Sequence, residues 1–166
     1  MSDGAGPRLV LLGGPPGVGK SSALARLERK LARGACLDAD DVRRFRPAEN
    51  GTAELEAGVR NVIAVLRGYL EARAPVVVLA WVLADPRLVE RILSELDGLY
   101  GSVTRLYLVA SHAALEARLR REPERPHSLE YALAKLAQIE ALPQPKLDTT
   151  GLDADAVAER ILAQLG

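Results

Sequence analysis

The 166-residue chain has only one cysteine and no excess of either charge. Cys36 therefore cannot form an internal disulfide, which fits a reducing compartment. The 22 basic and 22 acidic side chains balance, whereas a general binder of nucleic acid or acidic membranes carries a basic excess. No apolar run approaches the roughly 20 residues of a membrane span, and MSDGAGPRLV lacks a signal-peptide pattern. We expect a cytoplasmic protein that binds neither membranes nor nucleic acid in general.

Internal repeats and low-complexity linkers are also absent, and the length fits one domain spanning residues 1–166. Short apolar runs alternate with stretches whose apolar residues recur at helical spacing. The runs are RLVLLGG (8–14), ACLDADD (35–41), PVVVLAWVL (75–83), VTRLYLV (103–109) and KLDT (146–149). This alternation predicts an α/β fold with a five-stranded parallel sheet. The polar connection REPERPHS predicts a short lid at about residues 120–128.

A glycine-rich stretch follows the first predicted strand. Residues 14–21, GPPGVGKS, match G-x-x-x-x-G-K-[ST] at every fixed position, between a predicted strand and a predicted helix. The glycines let amide N–H groups point at an anion, and the helix start adds its dipole. Lys20 would reach the β- and γ-phosphates, and the Ser21 hydroxyl would bind magnesium. We predict that a nucleoside triphosphate and Mg²⁺ bind here, through Gly14, Pro15, Pro16, Gly17, Val18, Gly19, Lys20, Ser21 and Ser22.

Two classes of protein that share this loop have other motifs that this chain lacks. A GTPase reads guanine with N/T-K-x-D, but residues 145–148, PKLD, have no amide residue at the first position. A D-x-x-G match at residues 148–151 overlaps that tetrad instead of preceding it. A motor or AAA-type ATPase normally has an apolar strand that ends in Asp-Glu, and VVVLAWVL does not. These absences favour phosphate transfer to an acceptor.

The P-loop, LDADDVRRF (37–45), LEARLRREPERP (115–126) and DTTG (148–151) together resemble the small P-loop kinases. That group includes shikimate and gluconate kinases, chloramphenicol phosphotransferase and the kinase module of polynucleotide kinase. The resemblance implies a three-layer P-loop NTPase fold and an ATP- and Mg²⁺-dependent transfer of the γ-phosphate to a hydroxyl of a small-molecule acceptor. Only the P-loop is specific as a motif; the other stretches match by their order.

Carboxylates follow the second predicted strand, at the sheet edge where ligands of parallel α/β proteins bind. Transfer to a hydroxyl needs a carboxylate that accepts its proton. The resemblance indicates Asp40 as this base and Arg43 as a contact to an acidic group on the acceptor. Asp38 is the candidate second magnesium ligand, with Asp40 as the alternative. Asp41 is expected to cap the helix that begins near Val42.

The third strand departs from the pattern of many related kinases, which end it with an aspartate that helps to hold magnesium. Trp81 lies in this region, and two interpretations stay open: a core residue, or a flat wall for the acceptor. Asn61, on the long second helix, is an acceptor-binding candidate because relatives place such side chains there. Asp85 precedes Pro86 and is expected to cap the next helix. The missing aspartate favours the alternative function, a module that binds or hydrolyses ATP without a dedicated acceptor.

The resemblance also implies nucleotide-binding roles for the arginines near the predicted lid. In the resembling kinases, a helix arginine stacks on adenine and a lid arginine closes on the phosphates. The resemblance assigns Arg118 to adenine and Arg121 or Arg125 to the phosphates, with Arg121 as the catalytic candidate. Asp148 and Thr149 resemble the loop that lies beside adenine.

Overall fold

The computed structural model describes residues 6–44, 51–121 and 127–165. Its strands are β1 (Arg8–Gly13), β2 (Ala35–Asp38), β3 (Val76–Ala80), β4 (Ser102–Val109) and β5 (Lys146–Asp148). They form one sheet in the order β2-β3-β1-β4-β5, and every neighbouring pair is parallel. The predicted α/β class and five-stranded parallel sheet are confirmed.

Helices connect these strands. In the described ranges they are α1 (Lys20–Lys30), α2 (Thr52–Glu71), α3 (Pro86–Glu95), α4 (His112–Arg120), α5 (Leu129–Glu140) and α6 (Ala154–Leu165), with a 3-10 helix at Ala39–Val42. The Asp85 carboxylate accepts a hydrogen bond from the N–H of Arg87 at 2.9 Å, and Pro86 is the first residue of α3, so that predicted cap is confirmed. No helix in the described parts of the chain is long and apolar enough to cross a bilayer.

The central strand β1 has an apolar layer on each of its faces. Leu9 and Leu11 pack in the layer that α2 and α3 cover, whereas Val10 and Leu12 pack in the layer that α1 and α6 cover. This alternation follows from the two-residue period of a strand buried on both faces. It gives the three-layer architecture, and it fixes the position of the loop that leaves β1.

The carboxyl ends of the strands meet at one edge of the sheet. Ala80 of β3 is level with Leu12 of β1 on one side and with Asp38 of β2 on the other. Across β4, Gly13 is level with Tyr107. The P-loop, Trp81 and the β2 aspartates therefore leave the sheet at the same edge.

Candidate functional site

The loop between β1 and α1 has the conformation that its glycines permit. Gly17 and Gly19 have φ angles of 79° and 101°, which residues with side chains rarely adopt. Gly19 is the N-cap of α1 and supplies no side-chain hydrogen bond to it. No side chain at the N-cap competes for the first N–H groups of α1, which suits an anion at this helix start.

The side chain of Lys20 folds back onto the P-loop and bonds its backbone. Its Nζ donates hydrogen bonds to the carbonyl oxygens of Gly14, at 2.8 Å, and Pro15, at 2.9 Å. The ammonium group of Lys20 is therefore already held within the loop. A phosphate placed there would compete with these two carbonyls for the same N–H donors.

Tyr107 of β4 packs directly against the end of β1. A Cβ at Gly13 would lie 2.3 Å from two atoms of the Tyr107 ring, so only glycine leaves room for it. The Tyr107 hydroxyl donates to the carbonyl oxygen of Leu83 at 3.0 Å, and burial raises the pKa of this phenol. One buried side chain thus supports the start of the P-loop and the segment that follows β3.

A cavity of about 240 Å³ lies between the P-loop and the start of α6. We call it the α6 cavity. Its lining includes Gly19, Ser22, Arg118 and Arg121, together with Leu152 and Val157. The structure therefore brings two of the predicted nucleotide-binding arginines to the P-loop.

Arg118 ties the P-loop to the segment that follows β5. Its Nη1 donates to the carbonyl oxygen of Val18 at 2.9 Å and to the hydroxyl oxygen of Thr149 at 3.0 Å. Its Nη2 donates to the carbonyl oxygen of Thr149 at 2.7 Å. These bonds fix the guanidinium beside the α6 cavity, and Thr149 is fully buried beneath it.

Two further predicted nucleotide residues lie at the ends of this region. Asp148 is exposed, and its carboxylate accepts the Thr150 N–H at 2.8 Å. Hydrogen bonds from Thr150 hold the pKa of Asp148 below its usual value. Arg125 lies outside the described residues, as do residues 122–126 of the predicted lid, whereas Arg121 at the end of α4 is described and exposed.

A second cavity, of about 510 Å³, lies beside β2, and we call it the β2 cavity. Ser21, Asp38 and Asp40 all line it, so the predicted metal ligands and the predicted base share one space. Ser21 also lines the α6 cavity. The first turn of α1 therefore borders both cavities.

The hydrogen bonds around the β2 aspartates differ from the sequence expectation in one respect. Asp38, not Asp41, caps the helix: its carboxylate accepts the Asp40 N–H at 3.1 Å. The helix begins directly after β2, which moves the cap three residues earlier. Asp41 instead forms an ion pair with Arg44 at 2.8 Å.

The three predicted acceptor residues, Arg43, Trp81 and Asn61, are connected to Asp40 or to one another by short contacts. The Asp40 carboxylate accepts a hydrogen bond from Nη1 of Arg43 at 3.3 Å. The guanidinium carbon of Arg43 lies 4.6 Å from the centroid of the Trp81 ring, which is only 7% exposed and packs in the core. Nδ2 of Asn61 donates to the carbonyl oxygen of Val42 at 3.0 Å, directly before Arg43.

Residues 9–145 match the model of a family described as an AAA domain. This span contains the P-loop, the β2 aspartates and Arg118. The chain belongs to this AAA domain family. No curated protein matches the sequence.

This chain is similar in fold to several solved structures. A tunicamycin resistance protein from Deinococcus radiodurans is 24% identical, with a TM-score of 0.73 over 97% of this chain and 96% of that chain. A gluconokinase from Sinorhizobium meliloti 1021 is 14% identical, with a TM-score of 0.70 over 96% and 91%. An APS kinase from Mycobacterium tuberculosis, solved with AMPPNP and APS, is 19% identical, with a TM-score of 0.65 over 97% and 98%. The resemblance to small P-loop kinases is confirmed at the level of the fold.

The residues around Ser21 fit a magnesium ion that is bound mainly by phosphates. A hydroxyl and carboxylates are the hard oxygen ligands that magnesium prefers, and at phosphate sites it usually takes one or two protein ligands plus water. In the described ranges, no group of three or more His, Cys, Asp or Glu side chains could hold a metal alone. Ser21 with Asp38 or Asp40 therefore suits a nucleotide-bound ion in this AAA domain protein, not an all-protein metal cage.

Sequence reasoning missed three kinds of residue at this site. Leu152 and Val157 line the α6 cavity but occur in an ordinary amphipathic pattern. Gly13 precedes the P-loop motif, and only the Tyr107 contact across the sheet shows why it is glycine. His127, an exposed residue within the predicted lid, lines the β2 cavity.

Proposed function

We propose that this chain transfers the γ-phosphate of ATP to a hydroxyl group of a small-molecule acceptor. The observation that carries the proposal is the position of Ser21, which borders both the α6 cavity and the β2 cavity. A nucleotide base beside Arg118 and phosphates along the P-loop would bring the γ-phosphate toward Asp40. The β2 cavity, at about 510 Å³, is of a size that holds small ligands.

Each of the proposed site residues would have a different role in this reaction. Lys20 and Arg121 would balance the charge of the phosphates, because cations placed before the reaction stabilise charge that develops during it. Asp40 would accept the proton of the attacking hydroxyl, since its side chain is 70% exposed and can reach an acceptor. Magnesium bound through Ser21 and Asp38 would draw negative charge from the phosphates.

The sequence expectations add to this proposal. Arg125, outside the described ranges, is a second candidate for binding the phosphates. The protein is expected to depend on Mg²⁺ and to be cytoplasmic.

The test measures ADP formation from ATP with Mg²⁺, with and without a panel of alcohols, sugars, sugar acids, antibiotics and nucleosides. Mass spectrometry of the products then identifies a phosphorylated acceptor. We expect turnover that depends on one acceptor class. Equal ADP formation with and without every acceptor, unchanged in Asp40→Asn, would contradict the proposal.

That contrary result would instead favour an ATP-hydrolysing module without a dedicated acceptor. One observation supports this second candidate: β3 is followed by Trp81, where many related kinases have a magnesium-binding aspartate. Under this alternative, hydrolysis would proceed at the same rate whichever alcohol is added.

A further inference from the structure

Leu83, in the connection between β3 and α3 (residues 81–85), has an unusual backbone conformation. Its φ angle is 52°, in the left-handed region that residues with bulky side chains rarely adopt. Arg73 has a similar φ angle of 57°, but it directly follows the C-cap of α2, where a left-handed residue is ordinary. Leu83 lies in no helix or strand, and its side chain is buried. Strain of this kind persists only where the surrounding structure enforces it.

The hydroxyl of Tyr107 holds this conformation. It donates a hydrogen bond to the carbonyl oxygen of Leu83 at 3.0 Å, and both residues are almost fully buried. A buried carbonyl oxygen that loses its donor is unfavourable, because water does not replace the bond. The hydrogen bond joins β4 to the β3–α3 connection, although β1 lies between β3 and β4 in the sheet.

A glycine at the end of β1 makes this contact across the strand possible. Gly13 is level with Tyr107 in the sheet, and a Cβ at Gly13 would lie 2.3 Å from two atoms of the Tyr107 ring. The ring is rigid and buried, and its hydroxyl is bonded, so it has no room to move away from a side chain. The Tyr107 ring therefore occupies the space that the missing Cβ of Gly13 leaves.

The β3–α3 connection is also bonded to the P-loop. The N–H of Gly14, the first residue of the P-loop, donates to the carbonyl oxygen of Val82 at 3.1 Å. Val82 directly precedes Leu83 in the chain. The conformation that Tyr107 enforces at Leu83 therefore also sets the position of the carbonyl group that holds Gly14.

Gly14 in turn binds the P-loop lysine. Its carbonyl oxygen accepts a hydrogen bond from Nζ of Lys20 at 2.8 Å. A continuous series of contacts thus leads from the Tyr107 hydroxyl, through the β3–α3 connection, to the Lys20 ammonium group. The position of this cation matters, because a charge that is already in place needs no rearrangement when it meets the phosphates.

We propose that Tyr107 is a positioning residue that acts through the β3–α3 connection and Gly14 to place the Lys20 ammonium group for the phosphates of a nucleotide. Gly13 leaves the space that the Tyr107 ring needs. The inference rests on the nucleotide site of the proposed function and is independent of the acceptor. A tyrosine with a merely structural role would affect the stability of the fold and leave nucleotide affinity unchanged.

Tyr107→Phe removes the hydroxyl and keeps the ring. Tyr100→Phe is the matched control, because the Tyr100 hydroxyl also donates to a backbone carbonyl oxygen, that of Leu93 at 3.3 Å, but before the amino end of β4. We expect Tyr107→Phe to bind a non-hydrolysable ATP analogue about fivefold more weakly than the wild type, the effect of one hydrogen bond, and Tyr100→Phe to bind it as the wild type does. Titration calorimetry with Mg²⁺ measures the affinities, and circular dichroism checks that each variant is folded.

A double-variant cycle tests the route through Lys20. If Tyr107 acts by placing the lysine, Tyr107→Phe should cause almost no further loss of affinity once Lys20→Ala has removed the ammonium group. In Lys30→Ala, the control background at the other end of α1, Tyr107→Phe should keep its full effect. An equal loss in the Lys20→Ala and Lys30→Ala backgrounds would overturn the route through Lys20.

The outcomes distinguish this inference from the proposed function. Equal affinities of Tyr107→Phe and Tyr100→Phe for the ATP analogue would overturn the positioning role, even if the wild type phosphorylates an acceptor. Nucleotide binding without any phosphorylated acceptor would refute the proposed function, and the same titrations would still decide the role of Tyr107. Absence of nucleotide binding by the wild type would overturn both.

Discussion

Arg118 donates two hydrogen bonds to one residue, Thr149: one to its hydroxyl oxygen at 3.0 Å and one to its carbonyl oxygen at 2.7 Å. A third bond from the same guanidinium reaches Val18 of the P-loop. Since Arg118 joins α4 to the P-loop and to the segment that follows β5, its loss should affect both stability and nucleotide binding.

Arg118→Ala should lower the free energy of unfolding by about 2 kcal/mol and weaken ATP binding, because it leaves Thr149 and Val18 without their charged donor. Arg120→Ala, on the same helix, removes only an exposed pair with Glu116 and should change stability by no more than about 1 kcal/mol. Urea denaturation and calorimetric ATP titration measure the two effects. Equal behaviour of these variants would contradict the bridging role.

Lys20→Ala should weaken ATP binding about tenfold or more, since it removes a charge-assisted contact to the phosphates. Lys30→Ala at the other end of α1 is the control, because Lys30 pairs with Glu159 and Asp155 away from the P-loop. Both are measured by titration with a non-hydrolysable ATP analogue. Tight binding by Lys20→Ala would count against the P-loop assignment itself.

Asp40→Asn should lower acceptor-dependent kcat about 100- to 10,000-fold, the range for loss of a general base, with ATP affinity retained. Asp41→Asn makes the same change of charge in the same cavity, but Asp41 is paired with Arg44. It should therefore keep most of the activity. Steady-state assays of the two variants decide whether kcat depends on the carboxylate at position 40 or only on the negative charge of this region.

Cys36 should react slowly with iodoacetamide at neutral pH. Burial, with a smaller effect of Glu28, raises the pKa of Cys36 to about 11 from its ordinary 9.0, and only the thiolate is nucleophilic. The alkylation rate should still be rising between pH 9 and 10, and a plateau near pH 9 would contradict the burial. The unfolded chain loses this proton before the folded chain, so the thiol destabilises the fold only above about pH 9. Glu28→Gln should lower the thiol pKa.

The sequence predicted the elements well because their signals are local. Two-residue and helical periodicities, the complete P-loop pattern and the Asp85-Pro86 cap all depend on neighbouring residues. The order of the strands in the sheet follows from packing between distant segments, which no single stretch encodes. The cap at Asp38 was missed because the distance between the end of β2 and the start of the next helix was overestimated.

The candidate site was predictable as a set of residue types but not as a set of contacts. Arg43, Asp40, Asn61 and Trp81 were all selected, yet the packing of the Arg43 side chain against Gly58 of α2 was not, because a glycine inside an amphipathic helix carries no signal of its own. Thr149 looked like a loop residue beside the nucleotide, and the structure buries it completely under Arg118. Such roles come from side chains that lie far apart in the chain.

The sheet order has a consequence for how this protein could acquire new specificities. With β1 in the middle of the sheet, β2, α2 and β3 form one continuous stretch of chain, and β4, α4 and β5 form another. The first stretch contains the residues proposed to contact an acceptor, whereas the P-loop and Arg118 lie outside it. If the proposed function holds, an exchange of this stretch with that of another protein of this fold should change the acceptor and leave the P-loop and Arg118 in place.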